Sequence, residues 1–268
     1  MEELRQQALH WLSCADADRK AAGTRRLDAG APIDRGHRFA EPPGIPGRPA
    51  RPERVPHTQL KQRSVRSPLG HAALLHSLAH IELNAIDLAL DIVWRFPELP
   101  ENFYRQWLAV AREEALHFEL LRDHLAALGH GYGDFQSHDG LWQMAERTKA
   151  DLLARIALVP RTLEARGLDA SPAVKAKLLA VGDARGGEIL DIILRDEIGH
   201  VAVGNHWFRW LCAQRGLDPH RAYAELAARY QAPRARGPFN LDARRAAGFD
   251  EAELVALQEA GAGTMREP

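Results

Sequence analysis

The sequence predicts an all-α protein built around a four-helix bundle, and three features of its pattern support this prediction. From Pro68 onward, apolar residues recur almost without interruption at the three- and four-residue spacing of a helix. Short connections that contain Gly, Pro or Asp separate the long periodic stretches, as is typical of helix bundles. No run in this region alternates between apolar and polar residues as a half-buried strand does.

The first two long helices, 69–94 and 101–129, are joined by a short connection that contains two prolines, so we expect them to pack antiparallel. The last long helix of the bundle should begin near Gly186 and continue to about residue 215. Short connections between long amphipathic helices predict that consecutive helices are neighbours in the bundle.

The third long helix is predicted over 140–167 and contains Pro160, a residue that kinks or widens a helix. The altered turn would come just before Glu164 and would give that side chain freedom. A separate short helix should begin at Ser171 and Pro172, because these residue types suit an N-cap and a first helical position.

Flanking segments complete the predicted organisation. Residues 1–21 have the periodicity of a short amphipathic helix, whereas 23–68 hold eight of the 16 prolines and ten Lys or Arg against four Asp or Glu. We expect this basic arm to be a strap packed over the domain, with binding of nucleic acid as the alternative. The expected division is an N-terminal helix and arm (1–68), the bundle (69–215) and a C-terminal helical extension packed on it (216–268).

Composition excludes several classes of protein. With 268 residues, 46% hydrophobic and 26% charged, the chain is not intrinsically disordered as a whole. Lys and Arg number 35 against 36 Asp and Glu, so no global charge draws the protein to nucleic acid or anionic membrane. Cys14 and Cys212 form neither a disulfide framework nor a redox pair, and neither a signal peptide nor a membrane span is evident. We therefore expect a cytoplasmic protein that does not associate with membranes.

Each long helix of the predicted bundle places one glutamate inside its apolar stripe. Glu82, for example, shares its helix face with Leu75, Ala79 and Ile86. Two of the four glutamates are followed three residues later by a histidine on the same face. The inward-facing set is Glu82, Glu114, His117, Glu164, Glu197 and His200.

Burying four isolated carboxylates would cost several kcal/mol each, and no lysine lies in these stripes. Two divalent cations would neutralise the set, because four carboxylates and two imidazoles suit iron or manganese. The two halves also match in spacing, with 32 residues from Glu82 to Glu114 and 33 from Glu164 to Glu197. The alternative is a buried, hydrogen-bonded network of acids without metal. If the site binds metal, the ligand set is compatible with Fe/Fe, Mn/Fe and Mn/Mn pairs alike.

This constellation resembles the ferritin-like superfamily of di-iron and di-manganese carboxylate proteins, and LRDEIGH is similar to a stretch of the ribonucleotide reductase small subunit. The arrangement also resembles tRNA-hydroxylating di-iron monooxygenases. More closely, the chain is similar over 69–255 to an uncharacterised ferritin-like family known as a domain of unknown function. The segments that carry this similarity are HIELNAIDLALD, EEALHF, LEARGLDASP, LRDEIGHVAVGNHWF and GPFNLDARRAAGFDEAEL. The resemblance implies a ferritin-like fold and the same six metal ligands, and it implies no substrate.

Several neighbouring residues have two interpretations each. Asp196 resembles the reductase aspartate that orients a ligand histidine, although it also suits a solvated face. A polar stripe on the first long helix favours a helix–helix hydrogen-bonding seam over a proton relay; its members are His76, His80, Asn84, Asp87 and Asp91. Arg161 and Arg166 would either guard an anionic substrate or neutralise nearby acids. Asn205 and His206 would lie near the site or end an aromatic-rich helix.

Three functions share these features. The first is an O₂-activating dinuclear iron or manganese–iron oxidoreductase that hydroxylates or oxidises a substrate. The second is an iron-binding protein of ferroxidase type without an organic substrate, and the third is a metal-free helical interaction module. An oxidoreductase of this kind would need an electron-donating reductase. A homodimer is compatible with the spare helices, and the basic arm makes RNA a weakly supported partner.

Overall fold

The computed structural model describes residues 2–263, and this part of the chain is all-helical. Its α-helices are α1 (Leu4–Leu12), α2 (Ala17–Arg25), α3 (Pro68–Arg95), α4 (Glu101–Ala127), α5 (Gly140–Arg147), α6 (Leu152–Leu158), α7 (Ala165–Leu179), α8 (Ala184–Gln214), α9 (Pro219–Arg229), α10 (Leu241–Ala246) and α11 (Glu251–Gly263). None of these helices combines the length and the apolar character that crossing a bilayer demands.

The chain forms two compact units. The first unit comprises the described residues up to Trp142 together with Leu178–Ile189. The second unit comprises Gln143–Lys177 and the described residues from Leu190 onward. Helices α7 and α8 each contribute residues to both units.

The α3–α4 hairpin is the framework of the first unit, and its ends follow local signals. Ser67 caps α3 by accepting a 3.1 Å hydrogen bond from the Gly70 amide, and Pro68 occupies the first turn. Beyond the end of α4, Gly129 has φ +80°, a conformation that glycine adopts without strain. The helices pack against each other as predicted from 69–94 and 101–129.

Residues 1–21 form two helices rather than the single helix that their periodicity predicts; Met1 lies outside the described residues. Asp16 interrupts the helix because its carboxylate accepts a 2.9 Å hydrogen bond from the Arg19 amide and so caps α2. The break lets α1 pack on α3 while α2 packs on α4.

The Pro- and Arg-rich arm is a strap tied to the rest of the first unit. The Gly47 amide donates to the Leu12 carbonyl at 2.8 Å, and a Cβ at Gly47 would lie 2.2 Å from the Ser13 carbonyl oxygen. Three arginines of the strap pair with acids of the same unit: Arg38 with Glu98 (2.9 Å), Arg48 with Asp87 (3.4 Å) and Arg54 with Asp139 (3.3 Å).

The polar stripe on α3 is a buried hydrogen-bonding seam. His76 Nε2 accepts from the Gly133 amide at 2.9 Å, and His80 Nδ1 lies 2.8 Å from the Tyr132 hydroxyl. Farther along the helix, Asn84 Oδ1 accepts from Arg48 at 2.9 Å, Asp87 pairs with Lys20, and Asp91 accepts from Trp94 and Arg95. The seam therefore joins α3 to α2, to the strap and to the loop after α4.

The predicted third helix, 140–167, is broken into several pieces. The first break follows α5, where Asp151 caps α6 by accepting hydrogen bonds from the Leu153 and Ala154 amides. Inside the second unit the buried Arg155 guanidinium binds the Ala145 carbonyl at 2.5 Å, which ties α6 to the end of α5. A capping aspartate within the apolar pattern is the signal that starts a new helix after the break.

Pro160 widens the chain as predicted, because Val159–Glu164 form a π-helical segment between α6 and α7. The Thr162 hydroxyl donates to the Ala157 carbonyl at 2.8 Å, which satisfies one acceptor in the irregular turn. On the other side of the segment, Gly204 of α8 lies so close that an added Cβ would be 3.1 Å from Pro160 Cβ.

The prediction that a separate helix begins at Ser171 and Pro172 is wrong, because α7 runs through both residues. The Ser171 hydroxyl donates back to the Gly167 carbonyl rather than capping a new helix. Proline at position 172 has no amide hydrogen for the Leu168 carbonyl, and the Asn240 side chain donates to that carbonyl instead, at 3.3 Å.

The C-terminal helices pack within the second unit. A small apolar cluster joins α7, α8 and α10; its buried members are Ala165, Leu168, Val201, Ala243 and Ala247. Asp250 and Glu253 form a capping box at the start of α11, with both reciprocal hydrogen bonds at 2.9 Å. Residues 264–268 of the predicted extension lie outside the described residues.

We expect Gly204→Ala to lower the free energy of unfolding by about 1–3 kcal/mol, because the added methyl must displace Pro160 or α8. The matched control is Gly199→Ala in the same helix, where a Cβ meets no atom within 4 Å. This control should be neutral or stabilising by up to about 1 kcal/mol. Urea unfolding of both variants measures the difference, and equal effects would contradict the close packing.

We also expect His76 to make stability depend on pH. Burial lowers the pKa of His76 to about 4 in the folded protein, from about 6.5 in the unfolded chain. Between these two pH values the unfolded chain binds a proton at His76 and the folded protein does not. Stability from this group is therefore present above pH 6.5 and is lost as the pH falls toward 4.

His76→Gln should make this decline shallower by up to about 1.4 kcal/mol per pH unit, measured by urea unfolding at several pH values between 4 and 7. His130→Gln, which replaces a partly exposed imidazole of the same unit, should keep the wild-type slope. A wild-type slope in His76→Gln would show that His76 is not the group responsible.

Candidate metal centre

Three of the six predicted ligands meet inside the first unit. Glu82 on α3 and Glu114 and His117 on α4 are 5%, 1% and 0% exposed. His117 Nδ1 lies 3.3 Å from Glu114 Oε2 and 3.4 Å from Glu82 Oε2, so one imidazole nitrogen faces two carboxylates. The hairpin produces this meeting because Glu82 and the Glu114–His117 pair occupy the facing stripes of two packed helices.

The electrostatics of this cluster are unfavourable for the protein alone. Burial raises the pKa of Glu82 to about 7; the hydrogen-bonding interaction with His117 opposes that rise and the negative charge of Glu114 adds to it. Glu82 Oε2 is fully buried and accepts no directed hydrogen bond from residues 2–263. A buried carboxylate oxygen in this situation is suited to binding a cation.

The other three predicted ligands belong to the second unit. Glu197 and His200 lie one turn apart on α8, both buried, with His200 Nδ1 3.5 Å from Glu197 Oε1. Glu164 is half-buried and is the last residue of the π-helical segment. Asp196, the predicted orienting residue, is half-buried and accepts a 2.8 Å hydrogen bond from its neighbour Arg195.

The remaining candidates of the second unit have mainly structural contacts. Arg161 is buried among the rings of Phe208, Tyr223 and Phe249, and burial lowers its pKa to about 10. Its guanidinium pairs with Glu253 and donates to Asn205, whose amide in turn donates to the Ala247 carbonyl. Arg161 therefore neutralises an acid, while Arg166 and His206 are exposed.

A second histidine–carboxylate cluster, which the sequence did not predict, is formed in the first unit by His71, His124 and Asp183. A signal for two of its members exists in the stripes themselves. His71 precedes Glu82 by eleven residues and His124 follows His117 by seven, and both separations return to nearly the same helix face. Asp183 lies in a turn, where periodicity carries no information.

Fold and site together define an all-helical protein that buries two glutamates and a histidine against one another within a helix hairpin. The chain belongs to the family described as "Protein of unknown function (DUF455)", whose model matches residues 13–255. A Haemophilus influenzae protein described as "Uncharacterized protein" is 49% identical over 218 residues, which cover 79% of this chain and 76% of that protein. No solved structure matches the chain.

In protein stripped of metal with a chelator, we expect Glu82→Gln to raise the free energy of unfolding at pH 8 by about 1–3 kcal/mol. The wild-type protein must bury an ionised carboxylate above a pKa of about 7, and the amide removes that cost. Because the folded-state pKa is raised, the wild-type penalty disappears at low pH, and the difference should shrink at pH 5.

The matched control for this measurement is Glu113→Gln, which changes an exposed glutamate next to Glu114. It should change the free energy of unfolding by less than about 1 kcal/mol at both pH values, because the interactions of an exposed carboxylate contribute little. Urea unfolding compares the three proteins, and a wild type that is at least as stable as Glu82→Gln at pH 8 would contradict the assignment of buried, uncompensated charge.

Proposed function

We propose that this protein is a ferritin-like dinuclear iron or manganese–iron carboxylate protein that activates O₂ to hydroxylate or oxidise a substrate. The observation that carries the proposal is the buried meeting of Glu82, Glu114 and His117, where Glu82 Oε2 is fully buried, makes no hydrogen bond of good geometry among the described residues and has His117 Nδ1 3.4 Å away. Protein interiors accept such groups when a cation balances them.

The proposed ligands are the six residues of the sequence prediction: Glu82, Glu114, His117, Glu164, Glu197 and His200. Within each unit a glutamate and a histidine one turn apart share a buried helix face, which is the ligand pattern of bundle-bound metal pairs. The assignment of Glu164, Glu197 and His200 to the same centre as the first-unit cluster rests on the sequence pattern alone.

The donor set fits iron and manganese, because carboxylate oxygens and neutral imidazoles are the ligands these ions accept. When bound, a pair of such ions would supply electrons and open coordination positions for the reduction of O₂. The chain itself would exclude bulk water with the apolar residues around Glu82 and Glu114. The widened turn before Glu164 would let that carboxylate change its position, since a π-helical segment frees a side chain from the regular helical register.

The proposed function has two competitors. An iron-binding protein of ferroxidase type would use the same ligands without an organic substrate. A metal-free interaction module must leave Glu82 Oε2 buried and without a directed hydrogen bond among the described residues, which favours the metal-binding functions.

As partners we propose an electron-donating reductase and, from the remaining surface helices, a second copy of the chain. RNA stays a weaker proposal, since three strap arginines already pair with acids.

Elemental analysis tests the metal centre. Protein purified from cells supplied with iron and manganese should contain about two of these ions per chain, and Glu114→Gln with Glu197→Gln should lose them because two of the proposed ligands are neutralised. The matched control pairs Glu113→Gln with Glu188→Gln, both exposed positions on α4 and α8, and should keep the wild-type content. Equal metal content in both double variants would overturn the proposal.

Oxygen uptake then separates the two metal-dependent functions. Anaerobic protein loaded with Fe(II) and mixed with O₂ should, for an oxidoreductase, consume O₂ repeatedly only when a reductant and an oxidisable substrate are present. A ferroxidase should consume O₂ in proportion to added Fe(II), and organic compounds should not change the amount consumed.

A further inference from the structure

Three side chains that the proposed function does not use meet at one end of the α3–α4 hairpin. His71 lies in the first turn of α3, His124 lies in the last turn of α4, and Asp183 immediately precedes α8. All three belong to the first unit. They are separated by more than 50 residues from one another in sequence, so only the fold brings them together.

Both imidazoles direct the same ring nitrogen at one carboxylate. His71 Nε2 lies 2.6 Å from Asp183 Oδ2, and His124 Nε2 lies 2.9 Å from Oδ1 and 3.0 Å from Oδ2. One donor atom from each residue lies within 4.8 Å of the other two. Two ligands bound about 2.1 Å from a tetrahedral zinc ion are about 3.4 Å apart, so a small outward movement of the imidazoles would accommodate the ion.

The Asp183 carboxylate is held in place by the surrounding backbone. Its Oδ1 accepts a 2.7 Å hydrogen bond from the Gly186 amide, and a Cβ at Gly186 would lie 2.4 Å from Oδ2. Burial alone would raise the pKa of Asp183, but hydrogen bonds from His124, the Gly186 amide and His71 more than offset this and lower it. The carboxylate therefore stays ionised, and the Gly186 amide would orient it as an outer hydrogen bond orients a metal ligand.

We propose that His71, His124 and Asp183 form a separate, mononuclear binding site for a divalent cation of the zinc class. Two imidazole nitrogens and one carboxylate oxygen are a three-ligand set that zinc uses, and the fourth position would hold water. The side chains of His71 and His124 keep 15% and 11% exposure, which gives water access. This site lies about 16 Å along α3 from Glu82, so it stands apart from the buried cluster and does not depend on the proposed function.

The bound ion would join three chain segments at one point. It would link the first turn of α3 and the last turn of α4 to the turn between α7 and α8. Because the unfolded chain does not hold these ligands together, binding of the ion stabilises the folded first unit.

The test uses full-length, chelator-treated protein carrying Glu114→Gln and Glu197→Gln, which removes ligands of the other proposed centre. Equilibrium dialysis against Zn²⁺ should give one ion per chain, and thermal unfolding should shift to higher temperature with Zn²⁺ concentration. Adding His71→Asn and His124→Asn should weaken binding by about 100-fold or more and abolish the shift. The matched control, His130→Asn in the same unit, should keep both.

A second variant tests the site without relying on the double Asn variant, which would be uninformative if it did not fold. His124→Cys exchanges one nitrogen ligand for a thiolate, so Co²⁺ added to this variant should show thiolate-to-metal charge-transfer absorption that the same background with His124 lacks. The proposal is overturned if the Glu-to-Gln background binds no Zn²⁺, if the two Asn substitutions leave binding unchanged in a protein of native circular dichroism, or if the cobalt band is absent. Zinc binding in this background, together with wild-type protein that contains neither iron nor manganese, would leave this proposal standing while removing the dinuclear one.

Discussion

The ion pair between Lys20 and Asp87 is the interaction on which the packing of the first unit depends. Asp87 is fully buried on α3, and burial raises its pKa, so the carboxylate needs positive partners. They come from two distant segments: Lys20 on α2 and Arg48 on the strap. Lys20 also donates to the Gly47 carbonyl at 2.9 Å, which fixes the strap to the same point. One buried charge thus fixes both α2 and a proline-rich segment against the helix hairpin.

Glu82, only five residues from Asp87 on α3, presents the opposite case. Asp87 is balanced by a lysine and an arginine of the chain, whereas the contacts of Glu82 are an imidazole and a second carboxylate. The two acids share a helix and a degree of burial but differ in what surrounds them. The proposed function would explain the difference: Asp87 is balanced within the protein, whereas Glu82 would be balanced by a bound cation.

The sequence predicts the parts of this structure that local chemistry controls. Ser67, Pro68 and Gly129 mark the ends of the α3–α4 hairpin, and the inward stripes select Glu82, Glu114 and His117. Prediction fails where tertiary contacts override local preference. Ser171 and Pro172 have the chemistry of a helix start, but Asn240, from a distant loop, satisfies the carbonyl that Pro172 leaves open. Asp183 has a local partner in the Gly186 amide, but its contacts with His71 and His124 come from other helices, and no periodicity reveals them.

The discontinuity of the first unit has a consequence for synthesis on the ribosome. Its last piece, Leu178–Ile189, is made only after the whole of Gln143–Lys177, which belongs to the second unit. The hairpin and strap can collapse as they emerge, but the turn that brings Asp183 to His71 and His124 arrives later. A chain ending near residue 142 would therefore lack Asp183, so the end of the hairpin that carries His71 and His124 is completed only by a segment that is made later.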